Sequence, residues 1–188
     1  FAEGAFNMAF VPMFAKRLEQ GGEEEATEFA QSAFVAMTVL LTAFTILGIL
    51  AMPLLVTAMA AGFRGDERFD LAVEYGRLAF PYILFISLAA LVSGVLNATG
   101  RFVAAAAAPV LLNIVFIAAM VVGWAMGRPL SDGLGMGVDN LLGLRVGDTL
   151  ALSVPFAGLV QLALVWWAAS RAGFRLTVSR PRLTADMR

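Results

Sequence analysis

The chain has 188 residues, of which 60% are hydrophobic and 14% charged, with a formal net charge of −1 and a mean hydropathy of +0.83. Soluble domains carry about a quarter charged residues, so the apolar excess, gathered here in long blocks, marks a membrane protein. Cys and His are absent, which excludes thiol nucleophiles, imidazole bases, a disulfide framework and Cys/His metal sites; no basic surface points to nucleic acid.

The first apolar run, "FAEGAFNMAFVP", has no basic n-region or cleavage site of a signal peptide and carries a carboxylate, Glu3, near its head. Residues 1–18 are expected to be part of a membrane helix. A polar stretch with "GGEEE" follows, and then no charge occurs over residues 29–63. A straight helix of that length would reach ~50 Å, against a hydrocarbon core of ~30 Å. Pro53 is therefore expected to kink the span 29–62, leaving residues 54–61 to run along the interface. Residues 64–77 are mixed in charge, and "FDLAVEYG" reads as an amphipathic lead-in to a span over 70–98. Only Arg101 separates that span from the next, 102–127. A Gly-rich, Asp-containing loop, 128–148, precedes the last span, 149–170, and a basic tail, 171–188, closes the sequence. Each complete block exceeds the ~18-residue threshold for a transmembrane helix, and the alternating segments of a barrel are missing. The expected fold is an all-α, polytopic transmembrane helical bundle.

Arginine and lysine placement sets the expected orientation. One side collects Lys16, Arg17, Arg101 and the tail's five arginines, and the other holds Arg64, Arg68, Arg77, Arg128 and Arg145, offset by seven acids. The tail and the Arg101 turn are thus expected in the cytoplasm, and the loop 128–148 outside.

Within the blocks, Gln31, Ser87, Ser93, Asn97, Asn113, Ser153 and Gln161 are the polar groups at membrane depth. Interhelical hydrogen bonding is their ordinary use, and Asn97 and Asn113, on either side of the Arg101 turn, read as cap and turn residues. The alanine run 104–108 suits close helix packing. Pro12, Pro53, Pro81, Pro109 and Pro155 sit in five apolar segments, which suits the bent helices of a transporter. The acid clusters Glu23–Glu25 and Asp66, Glu67, Asp70 read as solvated faces rather than metal sites.

Three stretches, "EGAFNMAFVPMFAKRLEQGG", "FPYILFISLAALVSGVLNATGRF" and "APVLLNI", resemble the MurJ/MviN family of lipid II flippases, within the superfamily of multidrug and oligosaccharide-lipid exporters. Asn97, Arg101, Phe102, Pro109 and Asn113 fall in that family's pattern around its fourth and fifth helices. Ala105 departs from it, since the family often has Pro-Ala after the Arg-Phe pair, and this puts a local bend in doubt. The resemblance implies a chain that begins midway through the family's second helix and stops before the seventh. It would be part of one lobe of a two-lobe transporter with about fourteen helices. The implied function is movement of lipid II, the undecaprenyl-diphosphate-linked peptidoglycan precursor, from the inner to the outer leaflet of the bacterial inner membrane. Its implied partners are lipid II, membrane lipid and the remaining helices of the full-length protein, with no cofactor and no catalytic step. The cavity cations of the family lie mostly on helices outside this chain, so no arginine here is assigned to the diphosphate. Glu3 would lie mid-helix, face the cavity and pair with one of those cations as a gate, with Gly4 and Ala5 admitting the neighbouring helix closely. Pro12, Pro81, Asn97, Arg101, Pro109 and Asn113 are the expected structural helix and turn residues. Other readings are an exporter of another oligosaccharide-lipid of the O-antigen type, a membrane enzyme acting on polyprenyl phosphate, and a non-transporting scaffold. The enzyme reading lacks an interfacial cluster of acids or His, and the scaffold reading leaves Glu3 unexplained.

Overall fold

The computed structural model describes residues 2–63, 65–129, 138–140 and 146–174, with side chains over 8–63, 65–122 and 147–174. Six α-helices dominate the described residues: α1 (Ala2–Leu50), α2 (Met52–Met59), α3 (Glu67–Ala79), α4 (Tyr82–Ala98), α5 (Phe102–Met126) and α6 (Val146–Arg171). The β structure among the described residues is one antiparallel ribbon, β1 (Gly127–Pro129) with β2 (Val138–Asn140), in which Arg128 pairs with Asp139. Among the described residues, four helical stretches are long and apolar enough to cross a membrane: Met8–Leu50, Glu67–Ala98, Phe102–Val122 and Gly147–Arg171.

α1 reverses direction at Gly22, where φ is 76° and ψ −171°. Residues 10 and 29 of a straight helix would be ~28 Å apart, yet the Phe10 and Phe29 rings stack at 5.6 Å. Arg17 closes the bend by an ion pair with Glu25 at 3.3 Å and lies over the Phe29 ring at 4.7 Å. The helix runs through the polar stretch on both sides of Gly22, beyond the expected spans 1–18 and 29–62. Apolarity marks what lies in lipid, and a helix continues into the interface as long as its backbone bonds are made.

α1 ends at Leu50, and α2 begins one residue later with Pro53 in its first turn. Asp66 caps α3, its carboxylate accepting from the Arg68 amide at 3.3 Å, with Glu67 and Asp70 in the first turn and Arg77 in the last. That charge order complements the helix dipole. Phe80 and Pro81 then separate α3 from α4.

The buried residues of α4 include Leu88, Leu91, Val92, Val95 and Leu96, the three-and-four spacing of one helix face. This face forms the core with Phe10, Phe14, Phe34, Val165 and Phe174. α6 packs against both α4 and α5, and α1 packs on α4; α1 also touches α6 where Phe34 lies edge-on to Trp166 at 5.0 Å. α4 ends in a Schellman motif: the Arg101 amide donates to Leu96 O at 2.9 Å and Gly100, at φ 73°, to Asn97 O at 3.1 Å. α6 ends likewise, with Phe174 donating to Ala169 O at 3.1 Å and Gly173 to Ser170 O at 3.3 Å. The Phe174 ring meets Phe14 at 5.7 Å. This contact and the alternating helix directions bring the turns at Gly22, Gly100 and Gly173 to one end of the bundle.

Candidate functional site

α4 and α5 leave a cavity of about 420 Å³ between them, floored by α6. Five alanines line it, with Ile86, Phe102 and Pro109. Ser93 and Asn97, one helical turn apart on α4, place a hydroxyl and an amide on one wall, and Gln161 of α6 closes the floor. Gln161 is only 1% exposed, and its Nε2 has no hydrogen-bond partner among the described residues. Among the described residues no charged side chain lines the cavity. These side chains can hydrogen-bond a neutral polar group, and none of them carries a charge to set against a diphosphate.

The sequence-predicted residues divide into several groups. Glu3, Gly4 and Ala5 fall in the first turns of α1, and their side chains lie outside the described residues. Pro12 and Pro109 are inside α1 and α5, with no helix break at either, and Pro81 is the N-cap of α4. Arg101 stands exposed at the Schellman turn. Asn97 contributes its carbonyl to that turn and its side chain to the cavity wall. Asn113 is different from expectation: it lies in the interior of α5, exposed, and caps nothing. α5 starts at Phe102, so residue 113 lies about three turns into the helix, beyond the unpaired amides of its first turn. Ser153, buried, donates to Leu150 O at 2.7 Å in its own helix rather than across to another. Most of the loop 128–148 and the tail beyond Phe174 lie outside the described residues.

The convergence of Ser93, Asn97 and Gln161 escaped sequence reasoning, although the four-residue spacing of the first two was a signal. Arg77 escaped it too. Its Nε donates to the carbonyl of Ile49 at 3.2 Å, a pairing across α1 and α3 that nothing in the local sequence announces.

Residues 1–187 match the family described as lipid II flippase MurJ. The chain is 41% identical, over its whole length, to a probable lipid II flippase MurJ of Rhizobium meliloti. The chain belongs to the MurJ family. A second relative from Rhizobium tropici, with the same description, is 40% identical over the whole chain. The lipid II flippase MurJ of Burkholderia cenocepacia is 43% identical over 64% of the chain and 23% of its own length. This MurJ-family chain spans about a third of the length of the two Rhizobium proteins, 33% in each case. Flippases are transporters, and the apolar helices described above fit a membrane-embedded member of such a family.

Proposed function

We propose that the full-length protein containing this chain moves lipid II from the inner to the outer leaflet of the bacterial inner membrane by alternating access, and that this chain forms most of one lobe. The observation that carries the reading is the match to the MurJ family over residues 1–187, with 41% identity along the whole chain to a protein of that description. The physical requirements agree. A carrier for a diphosphate-linked glycopeptide needs a polar, water-accessible path walled by helices that can change their packing. The bundle offers helices interrupted at Gly22, Ala51 and Phe80 rather than rigid rods.

In this reading Arg101 and the turns beside it face the cytoplasm, and Glu3 pairs with a cation of another helix to hold one gate closed. An unpaired carboxylate at membrane depth costs ~2.5 kcal/mol or more, which supports a paired role. The test is complementation: the full-length protein should sustain growth of bacteria depleted of their own lipid II flippase. In vesicles it should expose a labelled lipid II analogue on the opposite leaflet. A protein that reaches the membrane in normal amount and does neither would end this proposal.

A further inference from the structure

We propose that Arg77 replaces the backbone donor deleted by Pro53, and so ties the two proline breaks of the bundle into one joint that sets the direction of α2 relative to α1. In an unbroken helix the carbonyl of Ile49 would accept from the amide of residue 53, four positions on. Residue 53 is proline and has no N–H. The Nε of Arg77, 28 residues away in sequence, supplies that donor at 3.2 Å. Proline is tolerated in membrane helices where a neighbouring element satisfies the freed carbonyl, and here the neighbour is identified.

The surroundings make this a built contact. A Cβ on Gly48 would overlap the Phe80 ring, and a Cβ on Gly76 would lie 2.6 Å from Met52 Sδ. The pairs Gly48–Phe80, Ile49–Arg77 and Met52–Gly76 therefore follow one antiparallel register in which each chain advances as the other retreats. Phe44 and Phe80 extend it, with ring centroids 5.9 Å apart. The break at Leu50–Met52 thus lies beside the break at Phe80–Pro81. α4 runs from Tyr82 to Ala98, ~26 Å at 1.5 Å per residue. The joint accordingly sits nearly one hydrocarbon thickness from the Arg101 turn, close to the opposite interface. There an arginine keeps its Nη groups in polar surroundings while its stem and Nε reach inward.

A hydrogen bond from a side chain can be released and remade without unwinding a helix, whereas a proline break without it leaves the direction of α2 poorly fixed. The test uses the full-length protein in a cysteine-free background, with spin labels at the exposed positions Ala36 and Ala58. R77M keeps the apolar stem and removes the donor. It should broaden the distance distribution between the labels and lower the melting temperature in detergent by about 2–4 °C, the scale of one hydrogen bond. P53A restores an amide to Ile49, so R77M added to P53A should change neither quantity. If R77M alone does not accumulate in the membrane, recovery of P53A/R77M to normal levels supports the joint, and continued loss overturns it. An unchanged distribution and melting temperature in R77M, or equal effects of R77M with and without Pro53, would also overturn it. None of these readouts uses transport, so the joint can fail while the flippase reading stands, and the reverse.

Discussion

Phe14 is fully buried, with its ring against Phe10 at 5.9 Å and Phe174 at 5.7 Å. It joins the first arm of α1 to the end of α6. Between membrane helices the stabilisation comes from packing, because lipid is as apolar as the side chain, so the loss on truncation is the loss of those contacts and the cavity left behind. Phe14→Ala should destabilise the full-length protein by roughly 3 kcal/mol, measured by reversible unfolding in detergent. Gln161→Leu should cost less than about 1 kcal/mol in the same assay, since the amide donor it removes has no partner among the described residues. A larger loss would mean that another part of the protein accepts from Gln161. At this scale the sequence was only partly legible. The polar residues inside the apolar blocks were visible at once, but their partners depend on rotation about each helix axis. Hence Ser153 bonds to its own turn, Asn113 stands exposed inside α5, and Arg77 meets Ile49 across 28 residues of sequence.

Among the elements, the glycine turns separate by backbone conformation. Gly100, at φ 73° in the Schellman motif that ends α4, occupies the left-handed region, which costs an ordinary residue ~1–2 kcal/mol and which Asn tolerates better. Gly22, at φ 76° and ψ −171°, lies in a region open essentially to glycine alone. Gly100→Asn should therefore leave folding nearly intact, whereas Gly22→Asn should cost at least 1–3 kcal/mol. The comparison is made by protease resistance of the two variants in membranes. "GGEEE" stood in the polar stretch between two expected spans. It did not announce that helix would continue up to it on both sides, because the residues flanking Gly22 are hydrophilic and hydropathy registers lipid exposure rather than backbone conformation.

For the whole molecule, the helix directions place the Gly22, Gly100 and Gly173 turns at one end and the α2–α3 connection at the other. If the arginine-rich end is cytoplasmic, Arg101→Cys in a cysteine-free full-length protein should react with an impermeant maleimide only from the cytoplasm, and Gly62→Cys only from outside. The opposite labelling would invert the orientation. This chain covers 33% of the two Rhizobium relatives, and alternating access needs two bodies that move against each other. The 188-residue chain reconstituted alone should thus fail to flip a labelled lipid II analogue, while the full-length protein does so in parallel vesicles. In the full-length protein, Glu3→Gln should impair growth as the only copy at normal membrane levels; wild-type growth and flipping would remove Glu3 from the gate. The all-α membrane bundle was legible because charge-free blocks of this length leave few alternatives. The cavity was not, since it arises between α4 and α5 over α6, and the relative placement of three helices has no linear signature.

The packing of α5 has a consequence for the order in which the protein is made. Its main neighbour among the described helices is α6, and Val103 and Ile117 remain 83% and 63% exposed. α4 is synthesised before α5 but gives it little support, whereas α6 emerges only after residues 127–145. Among the described helices, freshly inserted α5 therefore has little to pack on until translation delivers α6, the helix that seats it. During that interval the nascent chain is open to capture by an insertase or to mispairing, and slowing the ribosome between Met126 and Val146 should prolong it.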